Sequence, residues 1–125
     1  RFYYCAKAST AEREEGLEHF PLMPPPRALH TAGAANARAG AGRTGERRNM
    51  HPTIKPVALC KWLAGLLRGG APGPMLVPYS GVGSELIGCA QAGWSDVVGI
   101  EMDPWWNTIA GARLAKRGIA YRALP

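Results

Sequence analysis

The sequence predicts an α/β fold with a doubly wound, parallel-stranded pattern. Two observations carry that expectation. Short apolar runs alternate with segments of helical periodicity from Met75 onward, in the order strand, helix, strand, helix, strand. A Gly-x-Gly turn, Gly81-Val82-Gly83, stands between the first strand and the helix after it. With 125 residues the chain has room for one small domain.

Residues 1–6, Arg1-Phe2-Tyr3-Tyr4-Cys5-Ala6, are aromatic-rich and suit a short strand. Ser9 or Thr10 caps a brief charged helical turn, Ala11-Glu12-Arg13-Glu14-Glu15, which Gly16 ends. From about Phe20 to Arg48 the composition shifts. Pro24-Pro25-Pro26 leads into Ala, Gly and Arg with almost no large apolar side chain. Such a stretch buries too little surface to offset its ordering entropy and reads as a linker or insert. The chain is therefore divided into residues 1–18, the end of an upstream segment, 19–48, the linker or insert, and 49–125, the α/β region.

Within that region Pro56 takes the first turn of a helix in which Leu59, Trp62, Leu63, Leu66 and Leu67 repeat at helical spacing. Gly69-Gly70 stops it, and Pro72 and Pro74 prevent its resumption. Met75-Leu76-Val77 is a short buried strand, Tyr79 to Ser84 the glycine turn, and Glu85 to about Ala92 a helix. Gly88 in that helix allows close helix–sheet packing. Asp96-Val97-Val98-Gly99-Ile100-Glu101 is the second strand. Asp103 as N-cap and Pro104 as first residue start a helix carried by Trp106, Ile109, Ala110, Arg113 and Leu114. Lys116-Arg117 ends it with Gly118 as C-cap, and Ile119-Ala120-Tyr121-Arg122-Ala123 opens a third strand. No internal repeat is visible.

The formal charge of +6 favours polyanionic partners without deciding the fold. No apolar run reaches the roughly 20 residues that span a bilayer, and the first residues lack the order of a signal peptide. Cys5, Cys60 and Cys89 are odd in number and widely separated, which argues against a disulfide framework or a zinc site. A cytoplasmic protein without a metal is expected. Because the chain starts at Arg1 rather than at Met, it reads as a piece of a longer protein.

The turn Pro78-Tyr79-Ser80-Gly81-Val82-Gly83-Ser84-Glu85 is the chemical centre. Gly81 and Gly83 permit positive φ and let backbone N–H groups approach a ligand closely. Glu101 ends the next strand 18 residues past Gly83, close to the roughly 20 that place a carboxylate on ribose hydroxyls. A dinucleotide fingerprint asks for glycine where Leu86 stands, and no Lys-Ser or Lys-Thr pair makes a phosphate-cradling loop. The pattern suits a nucleoside ligand lacking a diphosphate. The bland reading, glycines that merely turn the chain, is as good for the turn alone and weaker once Glu101 is counted.

Ahead of the turn stands Asn49-Met50-His51-Pro52-Thr53-Ile54-Lys55-Pro56. Together with the turn and Glu101, in that order, it resembles the amino-group DNA methyltransferases that act on adenine N6 or cytosine N4. The resemblance is to the circular order in which the catalytic motif comes first. The helix Trp105-Trp106-Asn107-Thr108-Ile109-Ala110, with Arg113-Leu114, is similar to that family's aromatic-x-x-Ile-Ala…Arg-Leu helix. Residues Phe2 to Ser9 resemble a segment that precedes the variable insert of phage-type members. The likeness covers about residues 49–118 well and 1–16 loosely.

This resemblance implies a Rossmann-like methyltransferase fold, here partial as a C-terminal fragment. It also implies S-adenosylmethionine as cofactor and double-stranded DNA as the parent protein's substrate, with adenine N6 the first expectation. By position, Thr53 and Lys55 would meet the methionine moiety, Lys55 or the neighbouring backbone taking its carboxylate. Pro78, Tyr79, Ser80, Gly81, Gly83 and Ser84 would wrap the ligand, Glu101 would accept from the ribose hydroxyls, and Met102 or Trp105 would flank the adenine.

Two departures stand out. The family's acid at the end of the first strand is Val77 here, a residue that packs well in a parallel strand. No Asp-Pro-Pro-Tyr, nor an Asn or Ser variant, occurs anywhere, and Asp103-Pro104-Trp105-Trp106 reads as a helix start. In the family that tetrapeptide accepts hydrogen bonds from the target amine and stacks on a flipped base. No catalytic residue is therefore assigned, and the fragment retains cofactor positioning, which supplies proximity but no nucleophile activation. Arg38, Arg43, Arg47 and Arg48 suit either phosphate contacts within an insert or a solvated loop. Two other readings stay open: methylation of RNA or a small molecule, and a degenerate remnant that binds DNA or nothing.

Overall fold

The computed structural model describes residues 7–24, 45–69 and 73–120. The strand read at 1–6, the middle of the 19–48 segment and the last residues of the third strand lie outside them. Six elements follow in order: α1 (Thr10–Glu14), α2 (Val57–Leu66), β1 (Met75–Pro78), α3 (Ser84–Gln91), β2 (Val97–Ile100) and α4 (Pro104–Lys116). β1 and β2 pair in parallel, Met75 opposite Val97 through Pro78 opposite Ile100, with α3 as the crossover between them. The described residues thus form a small α/β unit of four helices and a two-stranded parallel sheet.

The core has two parts. Leu86, Ile87 and Cys89 of α3 meet Val57 and Ala64 of α2, Val77 of β1 and Leu114 of α4. Leu17, Val82 and Ile109 form the second part, joined by Phe20, Ile54, Trp105 and Trp106. Along the sheet Val77 faces α3, while Leu76, Val98 and Ile100 point to the opposite face and are exposed. Cys60 and Cys89 are free and buried, and burial pushes the Cys60 thiol up to about 11. No helix among the described residues is long and apolar enough to cross a membrane.

α2 is present but turned from the expected face. It buries Val57, Cys60 and Ala64, while Trp62, Leu63, Leu66 and Leu67 are 43%, 47%, 64% and 67% exposed. The cause is Gly88. A Cβ there would lie 2.5 Å from Cys60 Cβ and 2.7 Å from Lys61 N, so the backbones of α2 and α3 nearly touch. Only small side chains fit such a contact, and the bulky ones are forced outward. Gly88 therefore serves helix–helix packing, not the helix–sheet packing its position suggests. Pro56 also stands one residue earlier than expected, as the N-cap of α2.

The two ends of α4 match their sequence signals. Asp103 Oδ1 accepts from Trp105 N at 2.8 Å, Pro104 is the first helical residue, and Gly118 adopts φ +66° beyond the last turn. Ile119 packs against the first core cluster, but Ile119 and Ala120 form no strand.

α1 is held tightly to the rest. Ser9 caps it through Glu12 N at 3.1 Å. Arg117 pairs with Glu15, and Lys116 lies 3.4 Å from Glu18. Gly16, at φ +82°, lets the chain pass α4 so closely that a Cβ would sit 2.8 Å from Ala112 O. The ends of the 19–48 segment are tied as well. Met23 and Arg47 exchange two backbone bonds of 2.9 and 3.1 Å in an isolated antiparallel bridge.

Candidate functional site

The site is built where β1 and β2 end. Ligands of open α/β sheets lie outside the carboxyl ends of the strands, so the residues after Pro78 and Ile100 are the relevant ones. Tyr79 follows Pro78 at φ 56°, an uncommon value for a residue with a Cβ, and is 88% exposed. Ser80 N continues the sheet by donating to Ile100 O at 2.9 Å, and Gly83 N closes the turn on Ser80 O at 2.9 Å.

Both turn glycines are required twice over. Gly81 has φ +53° and a Cβ there would lie 3.1 Å from His51 Nε2; Gly83 has φ +79° and would lie 3.1 Å from Ala110 Cβ. Gly83 is the N-cap of α3 and offers no side-chain cap. Ser80 and Ser84 are both buried at 2% exposure.

Glu101 and the turn are joined directly. Glu101 Oε2 accepts from Gly81 N at 2.9 Å and Oε1 from Asp103 N at 3.0 Å. Asn107 Nδ2 donates to Glu101 O at 3.0 Å. A carboxylate has about four lone-pair sites, so each oxygen keeps capacity for one more donor, and the residue is only half-buried. The sequence reads Glu101 as a ligand acceptor; it is also the clamp that holds Gly81.

The 49–56 segment lies over the turn, where His51 stands beside Gly81. Lys55 Nζ meets Glu85 Oε1 at 2.5 Å, so the cation read for a ligand carboxylate is paired within the fold. The reason is that Glu85 occupies the first turn of α3, where a carboxylate is favoured and within reach of Lys55. Thr53 is exposed, and its N–H donates to His51 Nδ1 at 3.4 Å. That bond makes Nδ1 the acceptor and leaves the proton on Nε2, beside Gly81. The ring of His51 also meets Trp106 edge-on at 5.0 Å and 87°. Burial lowers its pKa, against the pull of Glu101.

Two contributors escaped the sequence reading. His51 was legible only as part of its motif. Arg113, 1% exposed, runs from α4 to the turn and donates to Val82 O at 2.5 Å and to Ser84 Oγ at 3.2 Å. It reaches Glu12 O at 3.4 Å, and burial lowers its pKa. Its signal was a cation inside the apolar stripe Ile109, Ala110, Leu114. Trp105, in contrast, packs against the second core cluster of Leu17, Val82 and Ile109. Its ring meets Phe20 at 5.9 Å and 65°, and its buried Nε1 has no hydrogen-bond partner among the described residues. Of the two residues read for the adenine, Met102 is the accessible one, 94% exposed just past β2. Val77, 8% exposed, is a core side chain.

The groups present fit a nucleoside: a carboxylate with spare acceptor capacity, two exposed apolar side chains at adjacent strand ends, and a glycine turn. They fit a free amino-acid carboxylate less directly, since Lys55 would have to leave Glu85. No cluster able to hold a metal ion occurs among the described residues. Compared with known proteins, the chain matches no family model, no curated protein and no solved structure.

Proposed function

We propose that this chain is the S-adenosylmethionine-binding portion of a DNA methyltransferase acting on an exocyclic amino group of a flipped base, adenine N6 first. The observation that carries the reading is the bond from Gly81 N to Glu101 Oε2 at 2.9 Å. It joins the glycine turn and the acidic strand end, the two features the sequence pairs by their spacing. The segment Asn49 to Pro56, which stands third in the same resemblance, packs on that turn through His51.

The chain's residues divide the work of binding. Glu101 accepts from ribose hydroxyls with its spare lone pairs, and Met102 and Tyr79 offer apolar surface to the adenine ring. Pro78, Ser80, Gly81, Gly83 and Ser84 form the turn itself, which Arg113 and His51 keep in shape. Thr53 and Lys55 stand at the methionine end, where Lys55 exchanges Glu85 for the ligand carboxylate. The cofactor supplies a methyl group on a positively charged sulfur. Activation of the target amine falls to a segment outside this chain.

Titration calorimetry tests the reading. S-adenosylmethionine or its demethylated product should bind, and NAD should not, because Leu86 stands where a pyrophosphate site needs glycine. Glu101→Ala should weaken binding by about 1.5–3 kcal/mol, the range for hydrogen bonds to a charged group. Absence of heat with either sulfonium or sulfide ligand, in a chain with a cooperative melt, would reject the assignment.

A further inference from the structure

Lys55 and Glu85 meet beside the glycine turn. Lys55 belongs to the segment that lies over the turn, and Glu85 follows Gly83 by two residues, in the first turn of α3. Lys55 Nζ and Glu85 Oε1 are 2.5 Å apart, with side chains 53% and 26% exposed. Glu85 differs from the acids that tie the fold together. Glu12, Glu14 and Glu101 each accept from backbone N–H groups of other segments. Among the described residues Glu85 accepts from Lys55 alone, through one oxygen.

Both charges keep capacity for a second partner. An ammonium has three donors and a carboxylate about four lone-pair sites, and the pair joins one nitrogen to one oxygen. A partly exposed ion pair contributes little to stability, so sharing or exchanging its partners costs little. An α-amino-acid group carries an ammonium and a carboxylate on one carbon. Its complement is a cation and an anion side by side, which Lys55 and Glu85 present. A ligand carboxylate without the ammonium would draw Lys55 from Glu85 and leave that partly buried acid without its countercharge, an unfavourable state. The end of β1 offers no other acid, since Val77 stands there in the core.

We propose that Lys55 and Glu85 together form the subsite for the α-amino-acid end of the cofactor, Lys55 taking its carboxylate and Glu85 its ammonium. The proposal rests on the cofactor reading above and adds Glu85 to it, as the residue that selects a zwitterion over a plain carboxylate. Glu101, bonded to Gly81, and Glu85, four residues past Gly81, mark the two ends of one site. Consecutive Cα spacing holds Gly81 and Glu85 within about 15 Å, and the turn closed by Gly83 N on Ser80 O shortens that span. A ribose on the first acid and an amino-acid end on the second belong to one extended ligand.

Titration calorimetry with three ligands is the test: the demethylated cofactor, its analogue with hydrogen in place of the α-ammonium, and adenosine, which lacks the amino-acid end. The parent chain should prefer the demethylated cofactor to the deamino analogue by about tenfold or more, the equivalent of one bond between charged groups. Glu85→Gln, which keeps length and polarity, should abolish that preference, because the ammonium loses its anion and Lys55 is free for either carboxylate. Comparing the two ligands within one variant cancels the change in Lys55's own pairing. Adenosine should bind parent and variant alike. Glu18→Gln removes equal charge from the ion pair with Lys116 and should leave the preference as it is in the parent. Thermal melts show that each variant is folded, and the parent's preference decides without any substitution. A parent chain with no preference, a preference that survives Glu85→Gln, or its equal loss in Glu18→Gln would each overturn the proposal, while adenosine binding keeps the nucleoside reading intact. Failure of both adenosine and the demethylated cofactor to bind would overturn the cofactor reading itself and the subsite with it.

Discussion

Glu12 caps α2 from across the fold: its Oε1 accepts from Val57 N at 2.6 Å. Pro56, the N-cap itself, supplies no side-chain acceptor, so the first turn of α2 depends on a carboxylate from α1. Through its own carbonyl the same residue meets Arg113, which braces the glycine turn. Glu12→Ala should therefore cost about 1–2 kcal/mol, the upper part of the range for a lost cap. Glu12→Gln, which keeps an acceptor without charge, should cost less. Urea unfolding gives both values, and an unaltered midpoint in Glu12→Ala would remove the cap from the account.

Two glycines in helices should respond in opposite directions to the same substitution. Gly88→Ala drives a Cβ to 2.5 Å from Cys60 Cβ and should cost about 1–3 kcal/mol as an overpacked contact. Gly65→Ala in α2 meets nothing within 4 Å and should add about 0.5–1 kcal/mol through helix propensity. Paired thermal melts check the contrast.

His51 makes stability dependent on pH below neutrality. Burial, ahead of every charge around it, lowers its pKa from 6.5. The unfolded chain then binds the proton more tightly than the folded one. The contribution is present above about 6.5 and is lost as pH falls through the folded value. Melts between about pH 7.5 and pH 5 should show the fall, and His51→Gln should flatten this part of the profile. A profile identical in the variant would assign the dependence to another group.

On the function proposed above, the chain alone should transfer no methyl group to DNA, since its sequence carries no Asp-Pro-Pro-Tyr-type tetrapeptide. Incubation with tritiated S-adenosylmethionine and mixed-sequence DNA measures this directly. Incorporation that Gly81→Leu abolishes would place a catalytic group inside the chain, with Asp103 the first candidate. That variant is a strict control, because φ +53° and His51 at 3.1 Å both oppose a side chain there.

Much of the local structure was legible because its signals act over a few residues. Asp103-Pro104 starts a helix and Ser9 caps one through side-chain oxygens on nearby N–H groups, and Gly118 ends one through its positive φ. The spacing from Gly83 to Glu101 was readable because one crossover helix separates two parallel strands. Long-range partners were not. Periodicity assigned Trp62, Leu63, Leu66 and Leu67 an apolar role in α2, but which face is buried was decided by Gly88 on another helix. Lys55 looked available for a ligand because nothing local announces that Glu85 lies beside it. Residues 11–15 read only as a brief charged helical turn; Glu12, Glu14 and Glu15 each hold a group more than thirty residues away.

The bridge between Met23 and Arg47 has a consequence for what this architecture tolerates. Chain that leaves and re-enters a fold at neighbouring points is closed by the fold, whatever its length. Closure entropy grows only logarithmically, about 0.6 kcal/mol for each doubling. The separation of Met23 from Arg47 is therefore set by the fold and not by the residues between them, so a change in the length of that stretch costs the described fold little closure entropy.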